Sequence, residues 1–202
     1  MGKVDLEIER QWASFNGRLL MLGFGSIGRG VLPLLLRHIA IPPERIAIMS
    51  PEGGWEALAA AQGVAYETGA LTPDNYQQLL AARLGPGDFL LNLSVDVSSR
   101  DLIAWCQAQG VLYLDACVGP WAGGHFDASL TPARRSNYAL RAAALGLRDV
   151  ANTGPTAILS HGVNPGLVSH FVKQALLNLA ADLLPGSAEP RERRDWAECA
   201  RR

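Results

Sequence analysis

Cysteine, methionine and histidine are scarce in this chain: three, three and four of 202 residues. The cysteines (Cys106, Cys117, Cys199) are odd in number and form no Cys-x-x-Cys pair. That excludes a disulfide scaffold and the common zinc-ribbon and thioredoxin motifs, and it points to reduced thiols and a cytoplasmic setting. His161 and His170 stand nine positions apart and do not read as a metal pair, and His125 has no ligand partner nearby, so no metal site is expected. Long apolar runs are missing too. None approaches the roughly 18 residues of a membrane span. The first seventeen residues are polar and mixed in charge, so no signal peptide is expected. Leu6 occupies the Ser/Thr position that myristoylation of Gly2 would need. Nor does one sign of charge dominate: 18 Lys and Arg against 19 Asp and Glu leave −1. General attraction to nucleic acid or to an anionic membrane is thereby excluded. No internal repeat or low-complexity segment is visible. The length suits one domain with a fragment of a second. A chain of this size buries roughly 70% of its unfolded surface without staples.

Glycine, by contrast, is plentiful at 21 residues, and three of them organise the chain. Leu19 to Leu22 is a short apolar run suited to a buried strand. Gly23, Gly25 and Gly28 follow in Gly-x-Gly-x-x-Gly order, and Val31 to Ile39 then carries helical spacing. Strand before and helix after is the context a dinucleotide fingerprint requires. Gly23 permits the tight turn. Gly25 leaves its backbone open to a pyrophosphate. Gly28 lets the helix lie close on the strand. The N–H groups and positive dipole end of that helix then face the phosphates. The candidate cofactor contacts here are Gly23, Phe24, Gly25, Ser26, Ile27 and Gly28. The bland alternative is an ordinary strand-to-helix turn.

The rest of the chain alternates in the same way. A first strand is expected over 18–22, and its helix over 26–39, kinked at Pro33. The second strand is 45–49. About 20 positions past the glycines, where NAD-binding versions of this pattern place a carboxylate for the ribose hydroxyls, stands Ser50. A serine can bond a ribose hydroxyl, more weakly than a carboxylate; alternatively it caps a turn before the helix near 55–62. No arginine follows to meet a 2′-phosphate, and Glu52 would repel one, which favours NAD over NADP. A third strand is expected at 64–67. Thr72-Pro73 reads as the cap and first turn of a helix reaching Leu84. The fourth strand, 88–93, is nearly all apolar, as one buried on both faces should be.

Ligands of open parallel sheets bind outside the carboxyl ends of the strands. Ser94, Val95 and Asp96 lie at such an end; as the alternative, Asp96 is a plain loop residue. Ser98 or Ser99 caps a helix over 100–109. A fifth strand at 111–115 leads into a loop, 117–135, long enough to be functional or disordered. Trp121 there is either a cation–π platform or an aromatic pin to the core. A helix over 137–147, a sixth strand over 156–160 and a long helix over 167–182 complete the pattern. Asn164 and Pro165 lie between the last two, where an amide could contact nicotinamide or substrate. The fold class is therefore α/β, a doubly wound and mostly parallel, Rossmann-like sheet. Residues 1–17 form a leader, 18–183 the nucleotide-binding domain and 184–202 a charged tail.

Several strings resemble the bacterial homospermidine synthases, members of the saccharopine-dehydrogenase-like oxidoreductases. They are Gly23 to Gly30 with Leu32-Pro33-Leu34, Asn92 to Asp96 with Ser98-Ser99, Pro120-Trp121, Arg135 to Arg141, Asn164-Pro165-Gly166, Phe171 to Leu176 and Asn178 to Asp182. The resemblance spans Leu19 to Trp196. It implies bound NAD and polyamine chemistry. Hydride leaves a carbon of putrescine or another diamine, a second diamine attacks the imine, ammonia departs and the hydride returns. It places Asp96 and Asn164 in the catalytic cleft. Two features depart from the family: Gly119 stands where a glutamate precedes Pro-Trp, and Ser50 where an aspartate is usual. The family's chains are also over twice as long, so the second domain is absent and 184–202 would be its beginning. A homo-oligomer, or a partner chain supplying that domain, is expected. The other readings are a non-catalytic dinucleotide-binding or dimerisation module, and another oxidoreductase of the same family.

Overall fold

The computed structural model describes residues 11–148, 154–162 and 166–183. Its elements in chain order are β1 (Ala13–Ser14), β2 (Leu19–Leu22), α1 (Ser26–His38), β3 (Ile39–Ala40), β4 (Ile46–Ser50), α2 (Glu56–Ala61) and β5 (Ala65–Thr68). They continue with α3 (Tyr76–Ala81), β6 (Phe89–Asn92), α4 (Ser99–Gln109), β7 (Leu112–Asp115), α5 (Asn137–Leu145), β8 (Ala157–Ile158) and α6 (Leu167–Leu183). Six strands form one sheet in the order β5-β4-β2-β6-β7-β8, and every pairing is parallel. The chain starts at the middle with β2, runs outward through β4 and β5, then returns to the other side of β2 for β6, β7 and β8. That reversal opens a crevice at the carboxyl ends of β2, β4 and β6. This is the doubly wound sheet expected from the sequence.

Leu19, Leu20, Met21 and Leu22 are all at most 5% exposed. Alternation divides them between two core layers. Leu20 and Leu22 pack with Leu80, Leu90, Leu102 and Tyr113 on one face. Leu19 and Met21 pack with Phe24, Leu32, Ile46 and Ile48 on the other. A strand buried on both faces has no polar positions to spare, which is why β2 reads as an uninterrupted apolar run. α1 continues through Pro33, which is exposed. Its missing N–H costs only the bond to the Arg29 carbonyl, one turn back on that side. Ser98 caps α4, its hydroxyl accepting from the Asp101 N–H at 3.3 Å, and Gly110 closes the helix at φ 72°. Ser136 caps α5 in the same way.

Three differences from the sequence reading have local causes, and one alternative that it left open is decided. The expected leader is structured over its described part: β1 pairs in parallel with β3, and Phe15 meets Phe89 edge-on at 6.0 Å. α3 starts at Tyr76, not at Thr72. The Asn75 and Tyr76 N–H groups both donate to the Thr72 carbonyl, at 3.3 and 3.1 Å, and the Asn75 amide oxygen takes the Thr72 N–H at 2.8 Å, so 72–75 is a closed turn that leads into the helix. β8 is only two residues long, because register with β7 is kept only at Tyr113 and Leu114. Trp121 is a pin: its Nε1 donates to Asp101 at 2.7 Å, and its ring leans on Tyr76 at 5.4 Å. Residues 1–10 and the charged tail lie outside the described residues.

Candidate functional site

A cleft of about 450 Å³ lies at the carboxyl edge of the sheet, lined by Gly23, Phe24, Gly25, Ser50, Glu52, Ser94, Val95 and Asp96 among others. The three fingerprint glycines are distinguished by their surroundings. At Gly23 φ is +85°, and a Cβ would stand 2.9 Å from Leu93 O and from Ser94 N. At Gly28 a Cβ would stand 2.6 Å from Gly23 O, so α1 can lie against the turn only without a side chain. At Gly25 a Cβ would meet nothing within 4 Å. Open space beside a bare backbone, at the start of a 13-residue helix with no side-chain cap and no acidic residue in its first turn, is a cradle for an anion. The residues thus fit a dinucleotide pyrophosphate. Ser26 and Ile27 are exposed in that first turn, outside the cleft wall. Phe24 contributes its backbone only, since its ring is 1% exposed and packs edge-on against Tyr66.

Ser50 ends β4, is 3% exposed and lines the cleft. It does not cap α2: Trp55 holds the N-cap position with no side-chain hydrogen bond. The Glu56 carboxylate instead takes the Gly54 N–H at 2.8 Å. The Glu56 N–H, and after it the Gly54 N–H and the Thr68 hydroxyl, hold its carboxyl below the ordinary range. Arg29, one turn into α1, lies 4.0 Å over the Trp55 ring and donates Nε to Gly25 O at 3.3 Å. Across the cleft, Asp96 is exposed with φ +61°, a left-handed conformation rare for a residue with a side chain. Asn164 and Pro165 lie outside the described residues.

Behind the Ser94 loop sits a buried polar chain that the sequence reading missed. Asn92 and Asp115 end adjacent strands as direct register partners, and they are 3% and 0% exposed. Asn92 Oδ1 accepts from Ser94 N at 3.1 Å and from Ser94 Oγ at 2.6 Å. Asn92 Nδ2 donates to Tyr113 Oη at 3.3 Å, and Tyr113 Oη donates to Asp115 Oδ2 at 2.9 Å. The Ser160 N–H donates to Asp115 Oδ1. Burial pushes the Asp115 carboxyl up, against hydrogen bonds from Ser160, Ser99 and Tyr113 that pull it down. Burial and the neighbouring carboxylate push the Tyr113 hydroxyl well above its ordinary range. The clue lay in the strings Phe-Leu-Leu-Asn and Leu-Tyr-Leu-Asp: each apolar strand ends on a polar residue. Only the register reveals that the two ends meet.

A larger hollow, about 650 Å³, lies beside α4, α5 and β8. Its only titratable lining residue is Arg148 and it touches none of the three fingerprint glycines, so the smaller cleft is the candidate site. His161 and His170 bring their rings to 5.4 Å edge-on. Among the described residues no group of three or more His, Cys, Asp or Glu is placed to hold a metal. No helix among them is long and apolar enough to cross a membrane.

A doubly wound parallel sheet, a glycine turn shaped for a pyrophosphate and a cleft at the strand reversal define a dinucleotide-binding domain. Comparison with known proteins gives it a family: residues 19–158 match the saccharopine dehydrogenase NADP binding domain, and the chain belongs to that family. It is 48% identical over 188 residues to homospermidine synthase of Blastochloris viridis, covering 92% of this chain and 39% of that one. It is 43% identical over 192 residues to homospermidine synthase of Mesorhizobium japonicum, covering 93% and 40%. Among solved structures it is similar to the homospermidine synthase of Legionella pneumophila in complex with NAD. The TM-score there is 0.79 at 37% identity, over 93% of this chain and 38% of that one. The chain thus spans about two fifths of the length of the curated relatives it matches. It is a homospermidine-synthase-like NAD(P)-binding domain.

Proposed function

We propose that the chain holds NAD for a homospermidine-synthase-type reaction and supplies one wall of that active site. The observation that carries this is the open space beside Gly25, between two glycines that have no room for a Cβ. When bound, NAD supplies a reversible hydride acceptor beside the carboxyl edge of the sheet. The chain's own residues do the positioning. The first turn of α1 meets the pyrophosphate with N–H groups and the positive end of its dipole. Ser50 meets the hydroxyls of the adenosine ribose, and Glu52 on the same wall stands against a 2′-phosphate. Asp96, on the opposite lip, presents a carboxylate to one ammonium end of putrescine or a similar diamine. Asn164 and Pro165, outside the described residues, are the further candidates for contact with the nicotinamide. In this reading residues 18–183 are the cofactor domain, and a second domain, in the same or another chain, completes the diamine pocket.

The chain matches only about 40% of each relative. That favours a second reading, a dinucleotide-binding or dimerisation module that turns nothing over by itself. Titration calorimetry with NAD tests the shared part. Putrescine and NAD, with and without a separately produced second domain of a relative, divide the readings. Homospermidine formed only in the mixture supports the first; NAD binding with no product in either supports the second.

A further inference from the structure

The buried chain behind Ser94 has a direction, and that direction reaches the cleft. A backbone N–H can only donate. The Ser94 N–H therefore requires Asn92 to turn its oxygen toward Ser94, which leaves the Asn92 amide nitrogen facing Tyr113. Tyr113 must accept from that nitrogen, so its single proton goes on to Asp115. At the far end another obligatory donor, the Ser160 N–H, marks Asp115 as an acceptor. Both ends agree. One consequence falls on Ser94: its hydroxyl proton is committed to Asn92 Oδ1 at 2.6 Å. Its remaining lone-pair capacity belongs to the cleft, whose wall it forms.

Position says which part of a ligand meets it. The adenosine ribose belongs on the β4 side, at Ser50, and the pyrophosphate at the glycine turn. Ser94 stands on the β6 side of that turn, packed so closely that a Cβ on Gly23 would lie 2.9 Å from Ser94 N. The nicotinamide riboside is what remains for that side. It offers two kinds of donor, ribose hydroxyls and the carboxamide N–H.

We propose that Ser94 acts as a hydrogen-bond acceptor for the nicotinamide riboside half of the cofactor, and that Asn92, Tyr113 and Asp115 are positioning residues that fix it in that role. The inference rests on the NAD-binding reading above. Loss of the Tyr113 hydroxyl leaves the buried Asn92 amide nitrogen without its acceptor, so the Asn92 side chain is no longer held in place against Ser94.

The test is a double-mutant cycle on NAD affinity, read by calorimetry in the full chain, with melting midpoints measured alongside. Ser94→Ala is expected to weaken NAD about five- to tenfold, the worth of one hydrogen bond. Tyr113→Phe is expected to weaken it by a similar factor when Ser94 is present, and by less than about twofold in the Ser94→Ala background. A purely structural role for Tyr113 would weaken NAD equally in both backgrounds and would overturn the inference. Unchanged affinity in Ser94→Ala would overturn it as well. Should Tyr113→Phe not fold, Ser94→Thr decides: it keeps the hydroxyl and should retain affinity, and equal losses for Ala and Thr would overturn the acceptor role. ADP-ribose in place of NAD separates the donors. A loss shared by both ligands assigns a ribose hydroxyl, and a loss confined to NAD assigns the carboxamide. If the unmodified chain binds no NAD, the proposed function falls and this inference with it; binding with an additive cycle removes the inference alone.

Discussion

Substituting alanine at Gly25 should separate ligand binding from folding, with Gly28 as the counter-case. The added methyl at Gly25 touches nothing within 4 Å. Its φ of −70° suits any residue. Alanine is a poorer N-cap than glycine by about 0.5–1 kcal/mol. It also restricts the unfolded chain, which returns about 0.4–1 kcal/mol. The two nearly cancel, and the melting midpoint should move by no more than about 2 °C. The methyl does, however, occupy the space where a pyrophosphate would approach the backbone. We expect NAD affinity to fall at least tenfold, or about 1.4 kcal/mol. Gly28→Ala should do the reverse. Its methyl would lie 2.6 Å from the Gly23 carbonyl, a backbone atom that cannot swing aside. Overpacking of that kind costs about 1–3 kcal/mol, of which better helix propensity offsets under about 1. The midpoint should fall by several degrees, on the order of 2–8 °C. The assay is differential scanning fluorimetry paired with calorimetric NAD titration. If Gly25→Ala binds NAD as well as the unmodified chain, the space beside Gly25 is not the phosphate cradle and the argument fails.

Asp88 should contribute to stability against acid. Burial alone would raise its pKa, but hydrogen bonds from the Arg18 and Gly85 N–H groups and the Arg18 guanidinium outweigh that and lower it below 3.8. Its stabilisation is therefore present above the ordinary carboxylate range and lost as pH falls through about 4 and below. Urea midpoints between pH 6 and 3 should fall more steeply for the unmodified chain than for Asp88→Asn; parallel curves would contradict this. Asp115 has the opposite sign, since its raised pKa removes stability as pH rises. Cys106 is buried and its thiol is pushed up to about 12, whereas Cys117 is exposed. Iodoacetamide at pH 8 should label Cys117 and spare Cys106 until denaturant is added; native labelling of Cys106 would refute the packing around α4. Finally, α6 leaves Phe171, Val172 and Leu179 more than half exposed. The isolated chain should self-associate with concentration in light scattering, and a monomer across the whole range would contradict that.

The glycine turn was legible because each glycine acts on atoms within a few residues, or on the strand pair beside it. The β6 strand and the Ser98 cap were legible for the same reason: local pattern decides them. β1 and β3 were not, since a two-residue strand has no period to read and its pairing depends on where α1 ends. Thr72 misled because threonine before proline is a good cap. It does open the turn, but regular helix begins only at Tyr76, whose N–H bonds back to the Thr72 carbonyl. The relay from Asn92 to Asp115 was illegible for a different cause. Its bonded pairs stand up to 45 positions apart, as Ser160 and Asp115 do, and only strand order places them together.

Asn92 lies opposite Asp115, one step past Leu91 opposite Leu114. A parallel ladder shifted by a single residue would turn every side chain of one strand to the other face. Here such a slip would cost more than packing. It would set a leucine against the carboxylate, and no polar thread would then reach the cleft. In this domain the alignment of two strands is also the alignment of a binding group, so a misregistered sheet would be blind to its ligand even if it held its shape.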